Sequence, residues 1–365
     1  MELVRPNIKG LHPYVGGAQI ENYDLWAKLN QNEFPYPPSP RVLEAIRTLP
    51  ENKRYPINRY PPGDHKELKE RLAGYLHVRP TQISFGDGSD ENLGNIAIAF
   101  VGDGNSLVYP YPISFSYPEY SMFPNYAELQ GVDKKEIDLN DDFTINVEAF
   151  IDGKPVLAYL SRPNSPSGIS TPKENIVELC EKSHPRIVAV DEAYSDFAGD
   201  DCLDLLQEYP NLLLTRTFSK ADGLAGLRLG YTIGHEKIIE RLEAIRYPYN
   251  VNIVAYVAGL AALEDESLVY KKEKVREIKE WRSRLTHELT DLGLYVFPSQ
   301  ANFILMQCDS PEEAERIFTT AEYENVLLRY FKGRRRLEDK VRMTIGTSAE
   351  NEKGLNVIRK VKKAT

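Results

Sequence analysis

Cysteine is scarce in this chain: Cys180, Cys202 and Cys308 are the only three in 365 residues, widely spaced and odd in number. They make neither a disulfide framework nor a metal-ligand spacing, which points to a reducing cytoplasm and to no metal. A strong positive field is missing as well. The net charge is −9, so the surface as a whole does not attract nucleic-acid phosphates. The one basic run, Lys332-Gly333-Arg334-Arg335-Arg336, reads as a solvated loop. No apolar stretch approaches membrane-spanning length, and the opening MELVRPNIKG lacks a secretion-signal core. Neither a membrane nor a nucleic acid is therefore expected as a partner. A Gly-Lys-Ser/Thr phosphate loop is also absent, so the Asp191-Glu192 pair lacks what a magnesium-nucleotide site needs. The remainder is ordinary for a soluble globular protein, with 27% charged and 42% hydrophobic residues. The length suits two domains, or one large domain with a cap.

The stretch TFSKADGLAGLRLGY, residues 217–231, carries the most chemistry. It follows the β-prone run Leu212-Leu213-Leu214, which sets Lys220 on the turn where a buried strand ends. Open α/β sheets bind ligands at that edge. A lysine held there away from water is a nucleophile able to form a Schiff base. Thr217 and Ser219 add hydroxyls and Arg228 a fixed positive charge, the groups that a phosphate takes.

ISFGDGSDENLGNIAIAF (83–100) reads as a strand over 83–85, a glycine turn over 86–89 and a helix from Asp90. Such a turn aims the backbone N–H groups of Gly88, Ser89 and Asp90 at an anion. The plainer alternative is a helix start capped by Ser89 or Asp90. IVAVDEAYSDF (187–197) is a continuous apolar strand, typical of a parallel sheet, that ends in Asp191. A carboxylate there needs a partner. VLAYLSRPNSPSG (156–168) is another buried strand running into a turn, where the amide of Asn164 either meets a ligand oxygen or serves the turn alone.

Elsewhere, residues 1–40 are irregular and arm-like, with a short strand near 28 and a helix entered through Ser39-Pro40. Residues 58–76 give a turn and an amphipathic helix with Leu68, Leu72 and Leu76 on one face. SLVYPYP (106–112) predicts a strand and 118–131 a helix with its approach; Pro124 belongs in the first turn, so the helix starts near Ser121. One or two long helices follow over 252–292. Strands at 296–308, 325–331 and 341–346 and helices at 310–321 and 348–361 then compose a small α+β unit.

These motifs, in this order and over nearly the whole chain, resemble the class I/II aminotransferases of PLP fold type I, most closely the histidinol-phosphate aminotransferase branch. The resemblance implies the α/β, aspartate aminotransferase-like fold, with a mostly parallel central sheet and a smaller α+β domain. It divides the chain into an arm (1–40) on the small domain, a large cofactor domain (41–250) and a small domain (251–365). It implies pyridoxal 5′-phosphate on Lys220, with Asp191 at the pyridine nitrogen and Tyr194 and Asn164 at the phenolic oxygen. Gly88, Ser89, Asp90, Thr217, Ser219 and Arg228 belong to the phosphate cradle. The ring that stacks on the pyridine is Phe115 by distance from the glycine turn and Tyr120 by register with the helix; Tyr120 is favoured. The family's Pro-Asn-Asn-Pro-Thr-Gly reads here with Ser165 as its fourth-from-last residue, leaving Asn164 as the amide. Tyr60 matches a tyrosine that reaches the neighbouring subunit's cofactor phosphate, which implies a homodimer. Tyr14, Asn32, Arg329 and Arg342 match the residues around the substrate's anionic group. The implied partners are a small amino donor and a 2-oxo acid. An aromatic aminotransferase and a decarboxylase of the threonine-phosphate type share the motif set. A non-catalytic aminotransferase-like regulator does not fit as well, since no DNA-binding module precedes residue 40 and the cofactor groups are retained.

Overall fold

The computed structural model describes residues 3–11, 16–22, 24–101, 113–152, 154–182 and 187–363. Its largest element is a seven-stranded sheet. In chain order the strands are β1 (Ile83–Asp87), β2 (Ile113–Tyr117), β3 (Lys134–Asp138), β4 (Leu157–Ser161), β5 (Ile187–Asp191), β6 (Leu212–Thr217) and β7 (Leu229–Gly234). Their spatial order is β1-β7-β6-β5-β4-β2-β3. Strand β7 runs antiparallel to both neighbours and every other pairing is parallel.

The central strands are apolar throughout because both sheet faces are covered. Side chains alternate between faces with period two. Val188, Val190, Leu212 and Leu214 enter one core, while Ala189 and Leu213 enter the other. The register sets Ser161 beside Asp191 and Asp191 beside Thr215, so β4 and β5 end level and β6 runs two residues further. That shared edge is the floor of the site.

Two helices, Ile253–Ala262 and Asp265–Asp291, lead from the main sheet to a second, antiparallel sheet. It comprises β8 (Tyr295–Val296), β9 (Phe303–Gln307), β10 (Arg329–Tyr330) and β11 (Lys340–Thr344), in the order β10-β11-β9-β8. Helices Pro311–Tyr323 and Ser348–Lys363 pack with it. No helix among the described residues is long and apolar enough to cross a membrane.

Several expectations change. The segment 106–112 lies outside the described residues, and the strand at this point is Ile113–Tyr117. It carries Phe115 into the core, 2% exposed. The following helix is Phe123–Gln130, two residues later than expected, with Pro124 in its first turn. The helix at 88 starts earlier than expected, at Gly88, and neither Ser89 nor Asp90 caps it by a side chain. Residues 325–331 divide: Val326–Leu327 pairs with Ala27–Lys28, and Arg329–Tyr330 joins the second sheet. The arm divides too. Its Ala27–Lys28 strand meets Val326–Leu327, whereas Asn7 Nδ2 donates to Glu128 O (2.8 Å) on the helix Phe123–Gln130.

The basic run is an exposed turn, as expected, yet two of its arginines are engaged. Arg335 holds both oxygens of Asp138 at the end of β3 (2.7 and 2.6 Å), and Arg336 donates to the carbonyls of Leu139 and Asn140. The run straps the second sheet to the first. Its partners lie nearly 200 residues away in the chain, which is why local patterning does not reveal them.

Candidate active site

At the ends of β4, β5 and β6 lies a cavity of about 130 Å³, walled by Ser89, Asp90, Tyr120, Ser165, Asp191, Tyr194, Ser219, Lys220 and Arg228 among others. Asp191 stands on its floor, 6% exposed, and accepts the N–H of Ala193 at 3.0 Å. Burial pushes its carboxyl up to about 7; Glu119 and Asp90 nearby add to this, and Lys220 opposes it. A carboxyl so placed becomes a firm anion once a cation stands next to it.

One wall is an anion cradle. The helix Gly88–Phe100 begins at the cavity, so its first N–H groups lack intrahelical acceptors and face inward with the positive end of the dipole. Two glycines permit the approach. Gly88 has φ +79°, and a Cβ there would stand 2.3 Å from Arg228 Nη2. A Cβ on Gly230 of β7 would stand 2.3 Å from Ser89 N. Arg228 donates to Asp90 Oδ2 (2.9 Å), and Tyr120 donates its hydroxyl to Asp90 Oδ1 (2.7 Å). The hydroxyl of Ser219 is buried with no hydrogen-bond partner among the described residues. An orphaned buried hydroxyl is costly, and a ligand oxygen would relieve it.

A second cavity of about 310 Å³ opens beyond, and Tyr120, Ser165, Tyr194 and Lys220 line both. Lys220 Nζ lies 5.4 Å from the centre of the Tyr194 ring. Asn32 donates its amide to the Tyr194 hydroxyl (3.0 Å). Arg329 and Arg342 form the far wall and stand directly opposite each other on β10 and β11. Like charges facing across a strand pair destabilise it, and a shared anion reverses that. Arg342 donates to Asn30 O (2.9 Å) and Ser165 Oγ (3.3 Å). The two cavities therefore hold a lysine between a buried carboxylate, one anion cradle and a second cationic wall.

The family model for aminotransferase class I and II matches residues 25–358. This chain belongs to that family. The aminotransferase is 36% identical over 356 residues to a histidinol-phosphate aminotransferase of Clostridium botulinum, covering 97% of this chain and 96% of that one. A relative of the same name from Caldanaerobacter subterraneus is 33% identical over 364 residues, 98% of each chain. The crystal structure of histidinol-phosphate aminotransferase from Sinorhizobium meliloti in complex with pyridoxal-5′-phosphate superposes with a TM-score of 0.87. It is 27% identical, over 100% of this chain and 98% of that one. The fold is the aspartate aminotransferase-like one, also seen in a Thermus thermophilus aspartate aminotransferase at TM-score 0.79.

Most residues singled out in the sequence line the aminotransferase's two cavities: Ser89, Asp90, Tyr120, Asp191, Tyr194, Thr217, Ser219, Lys220, Arg228, Asn32, Arg329 and Arg342. Two of them, Asn164 and Thr217, spend their side chains on local contacts. Asn164 serves its own turn, its Oδ1 accepting from Ser167 N (3.1 Å) and Oγ (2.6 Å) and its Nδ2 donating to Pro118 O (3.2 Å). Ser165, one residue on, faces both cavities instead. The Thr217 hydroxyl is committed to its loop, donating to Leu229 O (3.3 Å) and accepting from Ser219 N (3.0 Å). Phe115 is core, so Tyr120 is the ring at the cavity. Tyr60 is 80% exposed and stacks on Tyr249 at 4.5 Å, away from its own chain's cavities. Tyr14 lies outside the described residues. Asp90 also does more than lend an N–H, since its carboxylate ties Arg228 to Tyr120.

One residue went unnoticed. Glu119 lines the outer cavity and accepts from Ser116 Oγ (2.7 Å), Ser161 N (3.0 Å), Tyr120 N (3.0 Å) and the Ser161 hydroxyl. Burial raises its carboxyl above the usual range against these four donors. A glutamate next to a proline and an aromatic ring carries no local signal of this clamp, because Ser161 comes from another strand.

Proposed function

We propose that the aminotransferase uses pyridoxal 5′-phosphate to move an amino group between histidinol phosphate and 2-oxoglutarate, giving imidazole acetol phosphate and glutamate. The observation that carries the substrate reading is the facing pair Arg329 and Arg342 on the wall opposite the Lys220 cradle. The relatives' names support it.

The residues fit the cofactor: the orphaned Ser219 hydroxyl, the helix start at Gly88 and Arg228 suit its phosphate, and Asp191 suits its ring nitrogen. Tyr194 and Ser165, which line the same cavity, would meet the phenolic oxygen, and Tyr120 would wall the ring. When bound, pyridoxal phosphate supplies the electron sink for breaking a bond at the amino-bearing carbon. Lys220 reaches both cavities. Its amine takes the proton from that carbon and returns one to the carbonyl-derived carbon of the partner substrate. Asn32 fixes the Tyr194 hydroxyl, and the arginines orient the substrate by its distal anion.

Histidinol phosphate has no carboxylate, whereas glutamate has two. One site must then take a phosphate in one half-reaction and a carboxylate in the other, and the arginine fork suits both. Arg342→Ala is expected to lower kcat/KM for both substrates by about tenfold to a hundredfold, the value of a charge-assisted contact. The comparison that decides is with phenylalanine. If wild type prefers phenylalanine and neither Arg342→Ala nor Arg329→Ala changes the ratio, the enzyme is an aromatic aminotransferase instead. Release of carbon dioxide from a phosphorylated amino acid would favour the decarboxylase.

The working unit is proposed to be a homodimer. Tyr60 and Tyr249 stack on each other and are both exposed, an aromatic pair that a two-fold partner would cover. Tyr60 would then reach the partner's cofactor phosphate. Light scattering should give a dimer, and Tyr60→Phe should weaken cofactor retention by about tenfold. An active monomer would contradict this. The three free, buried cysteines support a cytoplasmic location.

A further inference from the structure

The strap formed by the basic run does more than join the two sheets. It is the turn between β10 and β11, the strands that carry Arg329 and Arg342. Arg335 and Arg336 anchor it on Asp138, Leu139 and Asn140, and Tyr117 donates its hydroxyl to Arg335 O (3.2 Å). The turn itself is closed by Arg334 N on Phe331 O and Leu337 N on Arg334 O, both 2.9 Å. Arg335, Arg336 and the backbone of the turn are thus tied down, and Arg334 lines the outer cavity with Arg329 and Arg342.

Its guanidinium makes no hydrogen bond or ion pair with any described residue, and the same holds for Arg329. That is unusual beside the strap's other cations, since Lys332 pairs with Glu315 at 2.7 Å and Arg335 with Asp138 at 2.6 Å. The carboxylates on this cavity are already engaged. Glu33 is paired with Lys28, and Glu119 is held by its four donors. The wall accordingly presents three guanidinium groups with little opposing charge. A carboxylate brings one negative charge and two oxygens, which a single fork satisfies. A phosphate monoester brings about −1.5 to −2 at neutral pH and three acceptor oxygens.

We propose that Arg334 is a third ligand for the substrate's phosphate, separating phosphate esters from carboxylates in a site whose two strand arginines accept both. This deepens the histidinol-phosphate reading and rests on it for the identity of the ester. Because Arg334 is exposed and its anchors are fixed, it adds to binding and leaves the chemistry at Lys220 alone.

The test uses holoenzyme, so that the cofactor's own phosphate cradle is filled. Inorganic phosphate is measured as a competitive inhibitor against glutamate, and kcat/KM is measured for histidinol phosphate and for glutamate. In Arg334→Ala the inhibition constant for phosphate should rise about tenfold, and kcat/KM for histidinol phosphate should fall about as much, through KM. Glutamate should change by no more than about twofold, as for a rim charge. Arg334→Lys should recover part of the loss. Lys332→Ala removes one charge from the same strap outside the cavity, and it should behave as wild type. An unchanged phosphate inhibition constant in Arg334→Ala, or equal losses for histidinol phosphate and glutamate, overturns the proposal. So does an equal effect from Lys332→Ala, which would mean a diffuse field. If wild type does not use histidinol phosphate, the substrate reading falls, and the inorganic phosphate arm still decides Arg334 alone.

Discussion

Lys220→Ala is expected to leave a folded protein that has lost transamination by at least about 10²–10⁴-fold, the value of a positioned proton-transfer group alone. Loss of the nucleophile adds to this. The fold should survive because Lys220 is a loop residue after β6, and its side chain borders two cavities without filling a core. A second readout separates chemistry from stability. Borohydride should fix the cofactor to the peptide containing residue 220 in wild type and to no peptide in the variant. Normal turnover by Lys220→Ala would end the assignment of that residue, whatever the substrate.

Asp191→Ala should come next in size. Its carboxylate is buried at the end of β5 and accepts the N–H of Ala193. Removing one partner from a buried charged pair costs roughly 3–5 kcal/mol, so activity should fall by about 10²–10³-fold or more. Asp191→Asn keeps the volume and removes the charge, so it should lose nearly as much. Near-normal activity in both would make Asp191 a structural residue. The cofactor-free protein offers an independent check by pH. The Asp191 carboxyl is raised from its ordinary 3.8 to about 7 in the fold, chiefly by burial. The folded state then holds a proton that the unfolded chain has released, between those two values. Stability from this group is fully present below the unfolded value and declines as pH rises toward 7, at about 1.4 kcal/mol per unit. Asp191→Asn should flatten that part of the melting profile; an unchanged slope would show that another group is responsible. With cofactor bound, a cation beside Asp191 lowers its carboxyl, and the slope should weaken.

The local parts of the site are legible in the sequence alone. Lys220, Ser219, Gly88 and Asp191 each sit within a few residues of the apolar run or glycine turn that places them. An all-apolar strand must be buried, and a buried strand of a parallel sheet ends where ligands bind. The helices were equally legible where their periodicity was strong, as with Leu68, Leu72 and Leu76, all buried on one face.

What the tertiary structure alone decided involves partners far apart in the chain. Arg329 and Arg342 each look like edge charges until the antiparallel pairing of β10 and β11 sets them opposite each other. The strap's arginines find their acceptors at Asp138, Leu139 and Asn140, at and just beyond the end of β3. Glu119 gains its meaning from Ser161, a neighbour only because β2 and β4 are adjacent. Asn164 and Ser165 were exchanged for a subtler reason. Both are turn residues, and only the closing of the Asn164 amide onto Ser167 and Pro118 shows which side chain remains for the cavity. Propensity and periodicity act over one turn or one strand, and so this sequence by itself determined which segments are buried and where the reactive lysine stands. The pairing of strands and the competition between neighbouring polar groups for the same hydrogen bonds are long-range or three-dimensional matters. They determined which charges face each other across the cavity.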